Sequence, residues 1–358
     1  MQDFAKASDF VNYLRLSSNT WKNGETFVFR AHYEMDNRPY NLLPTLFRPD
    51  EYDSPFQRYL NKTKKWFSKE ECGTDSYDDL KEHPKLYNTM ILKTTEQFIL
   101  SDFVNQANRL GIAIPEAEKI LNWTPNRNEF YQEQYLFFEY QGNGETQLAS
   151  SFIEHFFKSL DHIPSSIPLF SGWSFVQFKP IPLYAGLAQH HGLPTRLLDF
   201  SYDPLKALFH ATTSHNSENK GWIVLYAINE KVFQQDEAVR IYKNQEILQN
   251  DRMLSIYRTM KVPASSNPYL FQQDGLFVYP IYPFDFYFRF NKYPSVEDYI
   301  FSLSGVDQLE RFEKIRLPIN QTLELKELLR KENITLSRLM PTLDNVAKEI
   351  KDNLERRI

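Results

Sequence analysis

The segment from residue 183 to 213, LYAGLAQHHGLPTRLLDFSYDPLKALFHATT, concentrates the side chains that could do chemistry. His190 and His191 carry imidazoles that titrate near neutrality and suit proton transfer. If this pair lies on a strand, the two rings point to opposite faces and only one enters a given site. Gly192 and Pro194 are conformational residues, one tolerating unusual φ and the other fixing it, and they aim the flanking polar groups Thr195 and Arg196. Asp199 is either a general base or the partner of Arg196 or of a more distant Arg30. Arg30 ends an apolar run in ETFVFRAHYE, residues 25–34, where its planar fork needs a carboxylate or a phosphate. It therefore forms an internal pair with an acid such as Asp199, or it grips an anionic ligand. Asp203-Pro204 reads as a cap and first residue opening a helix, with Leu205, Leu208 and Ala211 inward. His210 falls within that helix, at a packing or surface position.

Elements that could hold these groups follow from hydrophobic periodicity. Strands are expected near 25–31, 221–228 and 275–282, with a further strand from Phe312 to Leu317 ending at Pro318. A short helix is expected in residues 1–16 with Ser8 as N-cap. Another runs from Glu96 to Leu110 and stops at Gly111. Residues 148–160 place Leu148, Phe152, Phe156 and Leu160 on one helical face, and a helix is expected over Thr322 to Lys331. Leu343, Val346, Ala347, Ile350 and Leu354 form a final helical stripe. The polar stretch from Arg48 to His83 reads as a mobile or helical excursion. The expected fold class is α+β: a central mixed or antiparallel sheet surrounded by helices, within one domain over 1–358. Insertions are expected at about 50–90 and 112–175, and C-terminal helices over 320–358 pack on the core.

The chain has 358 residues, 42% hydrophobic and 24% charged, enough to bury a substantial core. Its formal charge of −5 argues against a general nucleic-acid-binding surface. The single Cys72 cannot form an internal disulfide or supply a thiolate cluster, which points to a reducing cytoplasm. No charged leader with an apolar run opens the sequence, and no window approaches a membrane span, so no membrane partner is expected.

Four islands carry a family resemblance. Gln189, His190, His191, Gly192, Leu193, Pro194, Thr195, Arg196, Leu197, Leu198, Asp199 and Phe200 resemble the centre of the FRG-domain signature, with His191 where an aromatic residue is usual. Phe29-Arg30-Ala31 resembles the Phe-Arg-Gly motif that names the family, with alanine for glycine, followed by Tyr40-Asn41-Leu42-Leu43-Pro44, Leu46 and Phe47-Arg48. Glu96 resembles the family's glutamate at the head of a helix. NPYLFQQDGLF, residues 267–277, resembles a further motif with Tyr269 for arginine and Gln273, Gly275, Leu276 and Phe277 in place. Asn333-Ile334-Thr335 through Leu343-Asp344 resembles the closing segment, with Asn333 for glycine and Met340 for phenylalanine. The resemblance implies a component of a bacterial or mobile-element defence or toxin system.

A second resemblance, to the ADP-ribosyltransferase superfamily, rests on the order of Phe29-Arg30-Ala31, the segment from His190 to Asp199, and Gln273. It implies NAD as the ligand, with Arg30, Thr195, Arg196 and His191 holding it and His190, Asp199 and Gln273 as catalytic residues. Gln273 stands where a glutamate is more usual, and an amide supplies no negative charge to a developing cation. The ligand class is a nucleotide-like or other anionic small molecule, with a macromolecular acceptor as second substrate. Two alternatives stay open: a metal-dependent nucleotide or phosphodiester hydrolase using His190, Asp199, His191 and His210, and a non-catalytic module that binds an anion. No compact metal motif such as His-Glu-x-x-His occurs.

Overall fold

A computed structural model describes residues 1–15, 25–35, 42–49, 53–68, 84–121, 123, 181–213, 220–233, 257–264, 267–280, 283, 287, 291–293, 295–302 and 312–355. Seven strands form one mixed sheet: β1 (Gln2–Asp3), β2 (Phe27–Met35), β3 (Leu198–Ser201), β4 (Gly221–Asn229), β5 (Tyr257–Met260), β6 (Gly275–Pro280) and β7 (Phe312–Pro318). Their order is β1-β7-β4-β2-β3-β6-β5. Only the β1–β7 pair is parallel. Helices pack on the sheet, so the fold is α+β as the sequence pattern requires.

β4, GWIVLYAIN, is almost continuously apolar because it is paired on both edges and covered on both faces. β2 alternates: Phe29 joins one core with Phe27, Ala31 and Tyr33 against it, and Val28 joins the other. The next side chains on the Val28 face are Arg30, His32 and Glu34. The first core is closed by α1 (Ala7–Leu14) and by α5 (Pro204–Thr213), through Phe10, Leu14, Leu205 and Leu208. Helix α8 (Thr322–Lys331) adds Leu325 and Leu329 to it. The opposite face is covered by α7 (Val296–Ser302) with Tyr299 and Ile300. A third core joins α3 (Pro84–Arg109) to α4 (Leu183–His190) through Leu100, Val104, Tyr184 and Ala188. Helix α2 (Ser54–Trp66), within the polar excursion, lays Leu60 against Met90 and Ile91 of α3.

Several local expectations are revised. His190 and His191 do not lie on a strand. They end α4, His190 as its last residue and His191 as its cap, because Gly192 takes φ +81° and lets Leu193 N–H close on the Ala188 carbonyl at 3.0 Å. Glu96 sits in the middle of α3, not at its head. Helix α1 begins at Ala7 after Lys6, so Ser8 lies inside it. Asp203 caps α5 as expected, its Oδ1 accepting from Leu205 N–H at 2.8 Å. Ala31 lies in regular β2 opposite Leu225, outside the positive-φ region, so it carries no strain for lacking glycine's freedom.

Two short helices follow α8: α9 (Leu336–Leu339) and α10 (Leu343–Glu355). α10 turns its apolar stripe outward, with Leu343, Val346, Ile350 and Leu354 exposed, while Glu349 and Asn345 bond to Ser337 and the Met340 carbonyl. Tyr40 and the helix expected over 148–160 fall outside the described residues.

The strongest tie between layers is a buried ion pair. Glu96 of α3, with no side-chain exposure, accepts from Arg196 N–H and Nε at 2.9 Å and from Nη2 at 2.5 Å. Removing one partner strands the other charge in the core. Arg196→Ala is expected to lower unfolding stability by about 3–5 kcal/mol, read by urea denaturation, whereas Arg330→Ala at the exposed α8 pair with Glu327 changes it by less than about 1 kcal/mol.

Candidate functional site

The sheet is divided at its centre. β2 pairs with β4 along nine residues but with β3 at one position only, Phe29 opposite Ser201. Continued in register, Ala31 would face Asp199, but no pairing occurs there. The Asp199 carbonyl, which a ladder partner would otherwise satisfy, instead accepts from Arg30 Nη1 at 2.6 Å. The same nitrogen lies 3.8 Å from Asp199 Oδ2. Arg30 Nε and Nη2 bond to no other described residue. Its side chain keeps 21% of its surface accessible. Burial lowers the arginine's pKa, opposed by Asp199, and an arginine starts far enough above neutrality to stay charged.

A short relay fixes Asp199. Leu197 N–H donates to Thr195 Oγ1 at 3.1 Å, Thr195 Oγ1 donates to Gln189 Oε1 at 2.7 Å, and Gln189 Nε2 donates to Asp199 Oδ2 at 2.7 Å. The threonine hydroxyl has one proton and gives it to the glutamine carbonyl, so the amide turns its N–H toward the carboxylate.

Two histidines face this carboxylate. His190 stacks on Tyr269 with ring centroids 5.4 Å apart and planes 5° apart, and its Nε2 is buried with no hydrogen-bond partner among the described residues. His191 meets both rings edge-on. Burial pushes the His190 pKa below the ordinary imidazole value, with Asp199 pulling the other way. His210, on α5, is exposed to solvent. Its pKa is also lowered by the protein packed around it, against the pull of Asp199 and Gln273. On the other side of Arg30, burial drives the His32 pKa down to about 3, aided by Arg30, and raises that of Glu297.

The structure thus sets Arg30, His190 and His210 around the Asp199 carboxylate, with His191 against His190. Thr195 and Arg196 do not reach it: Thr195 is fully buried behind Gln189, and Arg196 is consumed by Glu96. Two contributors were missed as site residues by sequence reasoning, and His210 was named only in the metal-dependent alternative. One helical turn separates His210 from Lys206, whose Nζ bonds the Gln272 carbonyl. Gln189 stood in the signature without a role, and Tyr269 was read only as a departure. Among the described residues, no group of three or more His, Cys, Asp and Glu side chains is arranged to hold a metal ion.

These observations define an α+β protein with a cluster of polar side chains where β2 and β3 part. A family model for the FRG domain matches residues 130–220, which include the signature segment. No curated protein and no solved structure matches the chain.

Because Asp199 raises both imidazole pKa values, its neutralisation in Asp199→Asn is expected to lower the titration midpoints of His190 and His210 together. Imidazole carbon–proton NMR titration reads both.

Proposed function

We propose that the opening takes NAD as a consumed substrate and breaks its nicotinamide–ribose bond, in the manner of an ADP-ribosyltransferase. The observation that carries this reading is Arg30, held in the split of the sheet by the Asp199 carbonyl with two donor nitrogens left for a ligand. A guanidinium presented this way matches a diphosphate. The stacked pair of His190 and Tyr269 supports it, offering a flat surface for a heteroaromatic ring.

Role by role, the sequence expectation shifts. Arg30 holds the diphosphate, and His190 with Tyr269 and His191 forms the ring subsite. Thr195 and Arg196 act behind the surface by shaping the loop. Gln273 is uncharged, so the negative charge that favours a developing oxocarbenium-like centre comes from Asp199, fixed by Gln189. An NAD-consuming effector of a bacterial defence or toxin system is the setting that the family resemblance favours. The metal-dependent reading finds no ligand group among the described residues to support it.

The test follows nicotinamide release from NAD by chromatography and NAD binding by calorimetry, for the native chain and Arg30→Lys. Release by the native chain, reduced about a hundredfold in Arg30→Lys because a lysine cannot bond bidentately, is the expected result. Binding without release would leave an anion-binding module. Neither binding nor release would remove NAD from consideration.

A further inference from the structure

We propose that α10 is a self-association element, and that its exposed apolar stripe pairs antiparallel with the same stripe on a second copy of this chain.

The helix is held to the protein by its polar edge. Glu349 Oε2 accepts from Ser337 Oγ, Asn345 Nδ2 donates to the Met340 carbonyl at 2.7 Å, and Asn345 N–H donates to Thr342 Oγ1 at 3.1 Å. These partners lie in α9 and the turn that follows it. α9 is itself seated. Leu339 is buried in the first core, and its carbonyl accepts from Nε2 of the buried Gln273, the cap residue of α6 (Pro268–Gln272), at 3.5 Å. α10 is therefore a fixed element, and the direction of its other face is set. That face carries Leu343, Ala347, Ile350 and Leu354, with Leu343 89% exposed. Val346 flanks them. Four of the nine large apolar side chains exposed among the described residues fall on this single helix, so the exposure is a patch and not the usual scatter.

The pattern names the occupant. Positions 343, 347, 350 and 354 step by four, three and four residues, the seam of two paired helices. In an antiparallel pair about a two-fold axis, Leu343 meets Leu354 of the second copy and Ala347 meets its Ile350. A small side chain then faces a large one at the centre, which lets the helices approach closely. The flanking charges select the direction. In this register Asp344 lies beside Lys351 of the second copy, and the two-fold repeats the contact in reverse. A parallel pair would set Lys351 beside Val346 and form no such contact. The protomer bodies lie behind the Asn345 and Glu349 edges, on opposite sides of the helix pair, and do not compete for space.

A bilayer surface fits this helix less well. Asp344, Glu349 and Asp352 outnumber Lys348 and Lys351, whereas interfacial helices carry an excess of lysine and arginine. The seam is short. Its 13 residues span about 20 Å, so it buries less than about 1,200 Å² in total, the range of weak, reversible pairs. The expected dissociation constant is on the order of 10–100 µM.

Sedimentation equilibrium of the full chain, from about one-tenth to ten times that constant, tests the pairing. Native protein should pass reversibly from monomer to dimer. Ile350→Lys, which puts a charge in the seam, and Asp344→Lys or Lys351→Asp, which set like charges together twice per dimer, should each weaken association at least about tenfold. All three positions are exposed, and circular dichroism with urea denaturation checks that each variant keeps the native fold. The double variant carrying Asp344→Lys and Lys351→Asp should regain native association. An equimolar mixture of the two single charge variants should also pair, although neither does so alone. A native chain that stays monomeric across the range overturns the proposal, and if it instead sediments with phosphatidylserine vesicles, a bilayer is the occupant. A dimer that Ile350→Lys leaves intact overturns it as well, because the interface then lies elsewhere. Failure of both the double variant and the mixture to associate overturns the antiparallel register.

Discussion

The buried pair between Arg196 and Glu96 is the constraint on which the remaining arrangement depends. A carboxylate with no exposed surface in the middle of α3 must find a cation, and Arg196 meets it with its backbone N–H and two guanidinium nitrogens. That contact fixes the loop between α4 and β3 at one point. The turn at Gly192 fixes it at another. Between them the Gln189, Thr195 and Leu197 relay has one geometry left, and Asp199 is presented to the opening in that geometry. The chemistry-bearing surface is therefore set by groups that never touch it.

The two arginines of the signature motifs have opposite fates, and the difference lies in where the nearest acceptors are. Arg196 is enclosed by a helix carrying a carboxylate and becomes structural. Arg30 meets a backbone carbonyl left over where β2 and β3 part, which satisfies one nitrogen and positions the others. The split is more than a gap, because it creates an orphan acceptor, and that acceptor holds the cation in place. Around the cation, partial desolvation keeps His190 and His210 neutral at ordinary pH, with Asp199 partly offsetting the effect.

Much of the framework was legible in the chain. The apolar run of β4, the alternation of β2, the strand from Phe312 to Pro318 and the helix from Thr322 to Lys331 all follow from period and end signals that depend on near neighbours. So does the Asp203 cap. The misreadings share a physical origin. His190 and His191 read equally well as strand or helix end, and only the packing of Tyr184, Ala185 and Ala188 against α3 selects the helix. The stripe on α10 is a true amphipathic pattern, yet its polar edge, not its apolar one, meets the protein.

The sequence by itself determined that this is an α+β chain with an FRG-domain match over residues 130–220, because local periodicity, capping and turn residues are written in adjacent positions. Only the tertiary structure decided which polar groups share a site. It buried Arg196 against a residue 100 positions away and brought Arg30 to Asp199 across 169. Such pairings depend on which strands part and which helices pack over them, and no spacing along the chain encodes that.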